Sequence, residues 1–503
     1  MSFPFHGKEF VFVQPDGTEL KVRGWGDQYN ARFETLDGHP VVLNSETGFY
    51  EYAEIDKTGE EVAPMGVRAG GAVPKRLRSG ARKPTRSAKN RTRSQIISDL
   101  PRGTTRWEER RQQKRTTLRR AMITSEVAAA PPPQGTIGTY VGLCLLVQFP
   151  DVHGTITQQE VEEFCNKPGY NGFGNNGSVY DYFFENSLGK MKYTNVVAPY
   201  YTAKNKRSYY TDEKVTQPRR TLELIKEALD DLTAKGFDFS ALSTDDQGYV
   251  YALNVFYAGP CVNRWAKGLW PHSSSLDSPY TLTQDAKAYD YQITNMGDQL
   301  TLGTFCHENG HMVCDFPDLY DYDSDSEGIG VYCLMCAGGA VQGADTNPTQ
   351  ICAYLKNAAG WGTTRTIASG QTFKARAGKN EFFIHKKDNN EYFIIENRFQ
   401  EGRDSLLTDS GLAVWHVDHL GSNDNQQGTP ARHYECALMQ ADGKKNLEKS
   451  QNVGDSKDLF RQGNGTKFGA KTKPNSKWWN KKASGLEISA IGAAGKEITF
   501  TAK

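Results

Sequence analysis

No hydrophobic run in this 503-residue chain is long enough to cross a bilayer. The longest, Tyr140 to Phe149 (YVGLCLLVQF), covers 10 residues and already contains a Gln, whereas a spanning helix needs about 20. No membrane span is expected. The opening MSFPFHGKEF lacks a basic segment followed by an apolar one, so no signal peptide is visible. Proline and glycine number 21 and 49, too few and too scattered for a collagenous or low-complexity chain. Cysteine is missing from the first 143 residues, and the 9 that follow are sparser than a disulfide scaffold requires. An odd count leaves at least one thiol unpaired within the chain.

Charge of one sign is scarce overall but not locally. The net charge is +1, yet 17 Lys/Arg face three acids (Asp99, Glu108, Glu109) between Lys75 and Arg120. The rest of the chain is therefore acidic. A nucleic-acid-binding domain spreads its basic charge over a folded face. Here it sits in one polar stretch that reads as poorly folded, so no nucleic-acid partner is expected.

Turn and periodicity signals divide the chain. Residues 1–66 read as a small β module, with runs such as Phe10-Val11-Phe12-Val13 separated by Pro15-Asp16-Gly17 and Asp37-Gly38. Residues 67–136 read as a basic linker that ends in Pro131-Pro132-Pro133. In residues 137–365 strand and helix signals alternate. Tyr140 to Phe149 is a buried strand, Ser178 caps a short helix, and Arg219 to Ala234 is amphipathic with Leu222, Ile225, Leu229 and Leu232 in phase. From residue 366 to 503 helical periodicity fades, and segments such as Tyr392-Phe393-Ile394-Ile395 and Leu412-Ala413-Val414-Trp415 suggest a β-sandwich.

The sharpest chemical signal is His307-Glu308-Asn309-Gly310-His311. Two histidines at i and i+4 of a helix lie one turn apart on one face, so both imidazoles can reach one Zn²⁺. Glu308 projects beside them and can take a proton from a metal-bound water. A third ligand has to come from the turn after the helix, in Asp315-Phe316-Pro317-Asp318-Leu319-Tyr320-Asp321. Further on, Met335 in Gly330-Val331-Tyr332-Cys333-Leu334-Met335-Cys336 is suited to an apolar floor under a metal site. Two ordinary helical histidines are the plain alternative.

These segments together resemble the immune inhibitor A family of secreted zinc metallopeptidases, relatives of the metzincins. Gln14-Pro15-Asp16-Gly17-Thr18 resembles its pro-region, and Gly177-Ser178-Val179-Tyr180-Asp181-Tyr182-Phe183-Phe184 the start of its catalytic domain. Pro317-Asp318-Leu319-Tyr320-Asp321 and Leu334-Met335 resemble its active-site turn and Met-turn. Glu391-Tyr392-Phe393-Ile394-Ile395-Glu396-Asn397-Arg398, Trp415-His416-Val417-Asp418 and Gln440-Ala441-Asp442-Gly443 resemble its C-terminal β region. The family spacing is H-E-x-x-H-x-x-G-x-x-D. Here one residue is inserted, with Cys314 at the Gly position and Pro317 at the Asp position. Matching the Pro-Asp-x-Tyr-Asp segment makes Asp318 the expected third ligand, with Asp315 and Glu327 as alternatives.

The resemblance implies a multidomain α+β protein: a small N-terminal β pro-domain (1–66), a pro-segment (67–136), a zincin/metzincin-like α/β catalytic domain with an active-site helix (137–365) and a C-terminal β-sandwich (366–503). It also implies secretion, polypeptide substrates, and a latent precursor opened by a protease cutting within 75–120. A cysteine switch cannot enforce that latency, since residues 1–143 hold no Cys.

Weaker candidates surround this centre. Asp321, Asp323, Asp325 and Glu327 alternate oxygen ligands in a loop that could wrap Ca²⁺; a solvated acidic loop is the alternative. His272 and His416 could line the cleft and Tyr332 could stabilise an oxyanion, each weighed against an ordinary packed side chain. Trp478-Trp479 reads as core rather than a sugar platform. The competing function is a secreted binding protein with a structural or vestigial metal site and a glycan- or protein-binding sandwich. An intact Glu308 argues against it, because a structural zinc has no use for a general base. A zinc hydrolase acting on a non-peptide bond is the third reading.

Overall fold

Alternating apolar residues and tight turns fold the N-terminal segment into a meander. The strands are β1 (Phe5–Val13), β2 (Glu19–Gly26), β3 (Ala31–Thr35), β4 (Pro40–Leu43), β5 (Tyr50–Ile55) and β6 (Val62–Arg68), antiparallel neighbours in chain order. The structure is a computed structural model and describes residues 4–27, 31–44, 46–55, 62–77, 104–124, 135–263, 265, 267–322, 326–341, 343–424 and 428–503. The inner face of the meander (Phe12, Leu20, Val22, Phe33) shares its core with Trp270, and Trp265 Nε1 donates to Asp27 O at 2.5 Å.

The expected connector is a linker only in part. Strand β6 crosses the boundary at residue 66, and residues 106–124 form a 19-residue helix, α1 (Arg106–Thr124). The reason is a reciprocal capping box, in which Thr105 N donates to Glu108 Oε2 at 3.0 Å and Glu108 N to Thr105 Oγ1 at 3.4 Å. The remaining connector, at 78–103 and 125–134 with the proline run, lies outside the described residues.

The second sheet comprises β7 (Gly138–Gln148), β8 (Met191–Thr202), β9 (Leu253–Ala258), β10 (His272–Thr281) and β11 (Lys287–Met296), ordered β10-β11-β9-β7-β8. It is parallel except for edge strand β10. β7 is buried on both faces, which explains its unbroken apolar run. Leu143, Leu145 and Val147 meet α5 (Arg219–Ala234). Cys144 and Leu146 belong to the core of α2 (Gln158–Asn166), α3 (Val179–Ser187) and α6 (Leu302–Cys314). α4 (Arg207–Tyr210) is a single turn. Ser178 caps α3 through a capping box with Asp181, as its sequence suggests.

The third sheet contains β12 (Thr363–Thr366), β14 (Glu381–Lys386), β15 (Glu391–Arg398), β16 (Gly411–Asp418) and β17 (Cys436–Leu438), ordered β12-β14-β15-β16-β17. The fourth contains β13 (Thr372–Arg376), β18 (Ile488–Ser489) and β19 (Glu497–Ala502). Phe393, Ile395 and Val414 pack with Phe373 and Phe500 in a core common to both sheets. Tyr392, Ile394 and Trp415, from the same strands, belong to the core that holds α6 and α7 (Ala353–Ala358). The β region is thus no separate appendage, because one sheet face completes the core around α6. All nine cysteines are unpaired and only Cys261 is not buried. No described helix is long and apolar enough to cross a membrane.

Candidate metal centre

Helix α6 is buried along its length except at Thr304. Its roll is set from the back by Asn309, which accepts from Tyr193 OH at 2.5 Å and donates to Asn254 Oδ1 at 2.9 Å. Those partners stand on β8 and β9. Asn309 lies two residues from both histidines, roughly opposite them on a helix of about 3.6 residues per turn. Anchoring it to the sheet therefore turns His307 and His311 toward the other side.

There they meet Asp318. His307 Nε2 lies 3.0 Å and His311 Nε2 3.2 Å from Asp318 Oδ1, and the two imidazole nitrogens are 3.1 Å apart. Nδ1 of His307 faces Leu334 O at 3.0 Å, and Nδ1 of His311 faces Phe316 O at 2.5 Å. A carbonyl can only accept, so each Nδ1 carries the proton and each Nε2 presents a lone pair. Three atoms able to offer lone pairs converge there, close enough to share a proton or a metal cation. Ligands about 2.0–2.1 Å from a tetrahedral Zn²⁺ stand roughly 3.3 Å from one another, close to the observed triangle. The donor set fits zinc. Among the described residues, this is the group of three ligating side chains drawn within 4.8 Å.

Electrostatics couple the three groups to one another. Burial opposes the ionised Asp318 carboxyl, but the two imidazoles overcome it and hold it well below the carboxylate range. Burial likewise opposes the charged form of His311, yet Asp318 raises it. Tyr322 OH donates to Asp318 Oδ2 at 2.7 Å and leaves Oδ1 for the centre. Glu308 is 2% exposed and neither carboxylate oxygen has a hydrogen-bond partner. Such a side chain is costly unless it has work at the site.

The insertion after the second histidine is absorbed in the helix cap. Asp315 adopts a left-handed conformation (φ 55°, ψ 30°), and its N–H returns to His311 O at 2.9 Å. This turn swings Asp318 under the histidines. Met335 lies against α6 at Gly310, and Leu319 N donates to its carbonyl at 2.7 Å. A Cβ on Gly310 would stand 2.8 Å from Met335 Sδ, so glycine is what permits this approach.

Other candidates are placed elsewhere. Asp315 faces Arg110 and Lys114, each at 2.8 Å, and is not a ligand. Glu327 accepts from Ser450 Oγ and also lies outside the cluster. Asp321 is buried, while Asp323 and Asp325 fall outside the described residues. Tyr332 OH is bound to Asp458 Oδ2 at 3.1 Å, in keeping with the packed side chain weighed for it. His272 bonds Tyr291 OH at 3.0 Å, and His416 bonds Glu391 at 3.1 Å while stacking on Trp479. Both are packed, paired histidines. Trp478 is core as expected, but Trp479 is only partly buried and lines a groove of about 730 Å³ with Lys473 and Lys477.

The basic connector, expected to keep the cleft closed, contributes a helix to the centre, an element its sequence did not suggest. The Trp107 ring of α1 stacks on His311, centroids 4.7 Å apart and planes 22° off parallel. Asp290 of β11 receives the N-terminal N–H groups of Arg106 and Trp107 at 2.8 and 3.1 Å. Burial raises Asp290 to about 7, against the pull of those bonds and Arg110. Along one i,i+4 row, Arg106 pairs with Asp245 at 2.9 Å, and Arg110 and Lys114 pair with Asp315. Along the next row, Arg111 and Arg115 pair with Glu435. The part of the basic stretch from Arg106 to Arg115 is a cationic face fitted to Asp245, Asp315 and Glu435. The signals that could have found it are the capping pattern Thr105-Arg106-Trp107-Glu108 and the i,i+4 spacing of the cations.

No protein-family model matches the chain, and no curated protein matches it.

Proposed function

We propose that this protein is a zinc-dependent endopeptidase made in latent form. The observation that carries this reading is the convergence of His307 Nε2, His311 Nε2 and Asp318 Oδ1 beside the unpartnered Glu308 carboxylate. Zinc held there would supply Lewis acidity and lower the pKa of a bound water toward 7. Glu308, the buried carboxylate next to His307, would accept the proton of the attacking water and pass it to the leaving amine. Leu334 O and Phe316 O would keep both imidazoles in the ligating tautomer. Tyr322 would hold Asp318 in place.

Two features favour a polypeptide substrate. A segment of the chain itself, helix α1, already lies against the centre, with Trp107 stacked on His311. The motifs also resemble those of immune inhibitor A peptidases, whose metzincin-like catalytic domain, C-terminal sandwich and secretion we adopt as part of the proposal. In the same reading α1 is the pro-segment that keeps the enzyme silent. Glu308→Gln tests the chemistry. The variant should retain one zinc per chain and lose casein hydrolysis after tryptic activation; undiminished activity, or no zinc in the parent protein, would reject the reading.

A further inference from the structure

A second concentration of carboxylates lies after β17, apart from the zinc ligands. The turn at residues 440–443 is laid against residue 458, with Ala441 N donating to Asp458 O at 2.8 Å, and the charges of Asp455 and Asp442 both act on the Asp458 carboxyl. Asp458 is 1% exposed. Its Oδ2 accepts from Asp455 N at 2.7 Å and Tyr332 OH at 3.1 Å, while its Oδ1 accepts nothing. Asp442 Oδ2 is buried and also without a hydrogen bond, although the exposed Lys444 ammonium stands 3.2 Å from it. Asp455 is already satisfied, since Asn446 and Asn452 donate to its Oδ2 at 2.9 and 3.0 Å and Lys457 N to its Oδ1.

Burial raises Asp458 to about 7, and the neighbouring Asp455 and Asp442 charges push the same way. A buried carboxylate with an open lone pair and like charges around it is stable only if protonated or bound to a cation. We infer that Asp458 Oδ1 and Asp442 Oδ2 grip a divalent, oxygen-seeking cation, with Ca²⁺ the best match to the donors. Calcium takes about six to eight oxygens at roughly 2.3–2.6 Å, so waters and loop carbonyls complete the shell. The cluster offers no thiolate or imidazole that would select zinc or copper. Asp455 adds field rather than a ligand.

Little regular structure holds residues 439–487, apart from side-chain bonds and isolated bridges. The ion would tie two loops of this region and, through Tyr332, reach the segment bearing Met335. This assignment differs from the Asp321–Glu327 loop singled out in the sequence, although Glu327 N donates to Leu447 O at 2.8 Å and the two regions adjoin. It is also independent of any peptidase activity.

Terbium, a luminescent stand-in for calcium, tests it on the zinc-loaded full chain. Excitation of the protein should sensitise saturable terbium emission through Tyr332, and added CaCl₂ should displace it. Asp458→Asn should weaken terbium binding by roughly 10–100-fold, the usual cost of disturbing a metal site, with Asp442→Asn following. Parental affinity in both variants overturns the assignment, as does loss in Asp321→Asn alone. If Asp458→Asn fails to fold, Asp442→Asn decides the matter, because its side chain lies nearer the surface: weakened terbium binding supports the site and parental binding overturns it.

Discussion

Replacing Trp107 with Ala is the most direct probe of the covering helix. The side chain is 6% exposed and stacked on His311. An indole buries on the order of 150–250 Å², which at about 25 cal/mol per Å² amounts to roughly 4–6 kcal/mol. Ring stacking adds about 0.5–1.5 kcal/mol. Buried Trp→Ala changes cost about 3–5 kcal/mol. The ion pairs of Arg106, Arg110 and Arg111 remain, so α1 stays the preferred cover but opens more often. A loss of about 3 kcal/mol in docking raises the open fraction roughly 150-fold. Two assays read this: hydrolysis of an internally quenched peptide by the uncut, zinc-loaded chain, and the rate of trypsin cleavage at Arg119 and Arg120. On the proposed function both should rise by one to two orders of magnitude, while the trimmed chain, which lacks residue 107, should match the parent. An uncut variant as silent and as trypsin-resistant as the parent would refute the latch.

Three further outcomes are expected. No Lys or Arg occurs between Ala121 and Asn166, so tryptic activation should yield a stable fragment that begins at Ala121, checked by N-terminal sequencing and a gain in activity. Asp290 sits at about 7 instead of 3.8, so its neutral form is the one favoured by folding. Its stabilising contribution is full below pH about 4 and is lost as pH rises through 7. At about 1.4 kcal/mol per unit the loss amounts to a few kcal/mol, and Asp290→Asn should flatten that part of the denaturation profile. Arg398 and Asp404 form a buried pair at 2.6 Å, and Arg398 also donates to Tyr332 O at 2.8 Å. Arg398→Met removes the guanidinium partner of Asp404 and should cost about 3–5 kcal/mol in chemical denaturation; an unchanged midpoint would contradict this.

Much of the centre was legible because its signals are local. Two histidines at helical spacing and an acid between them mark two candidate ligands and a candidate base whatever surrounds them. The capped helix at Ser178 and the apolar strand at Tyr140 were readable for the same reason. Arg106–Thr124 was not, because the helix has charge on every side and no apolar stripe, and its partners Asp245, Asp290, Asp315 and Glu435 are distant in sequence. Tyr332 and Asp458 were beyond reach for a similar reason, since 126 residues separate them.

By itself the sequence determined the chemistry on offer: the spacing of His307 and His311, Glu308 beside them, and a carboxylate in the bend that follows. Only the tertiary structure decided among the carboxylates. A left-handed residue at Asp315 took up the extra position and carried Asp318 to the imidazoles, while Asp315 itself was claimed by Arg110 and Lys114. Spacing along a chain names the groups that can reach a point, but which of them arrives depends on a turn and on partners contributed from elsewhere in the fold.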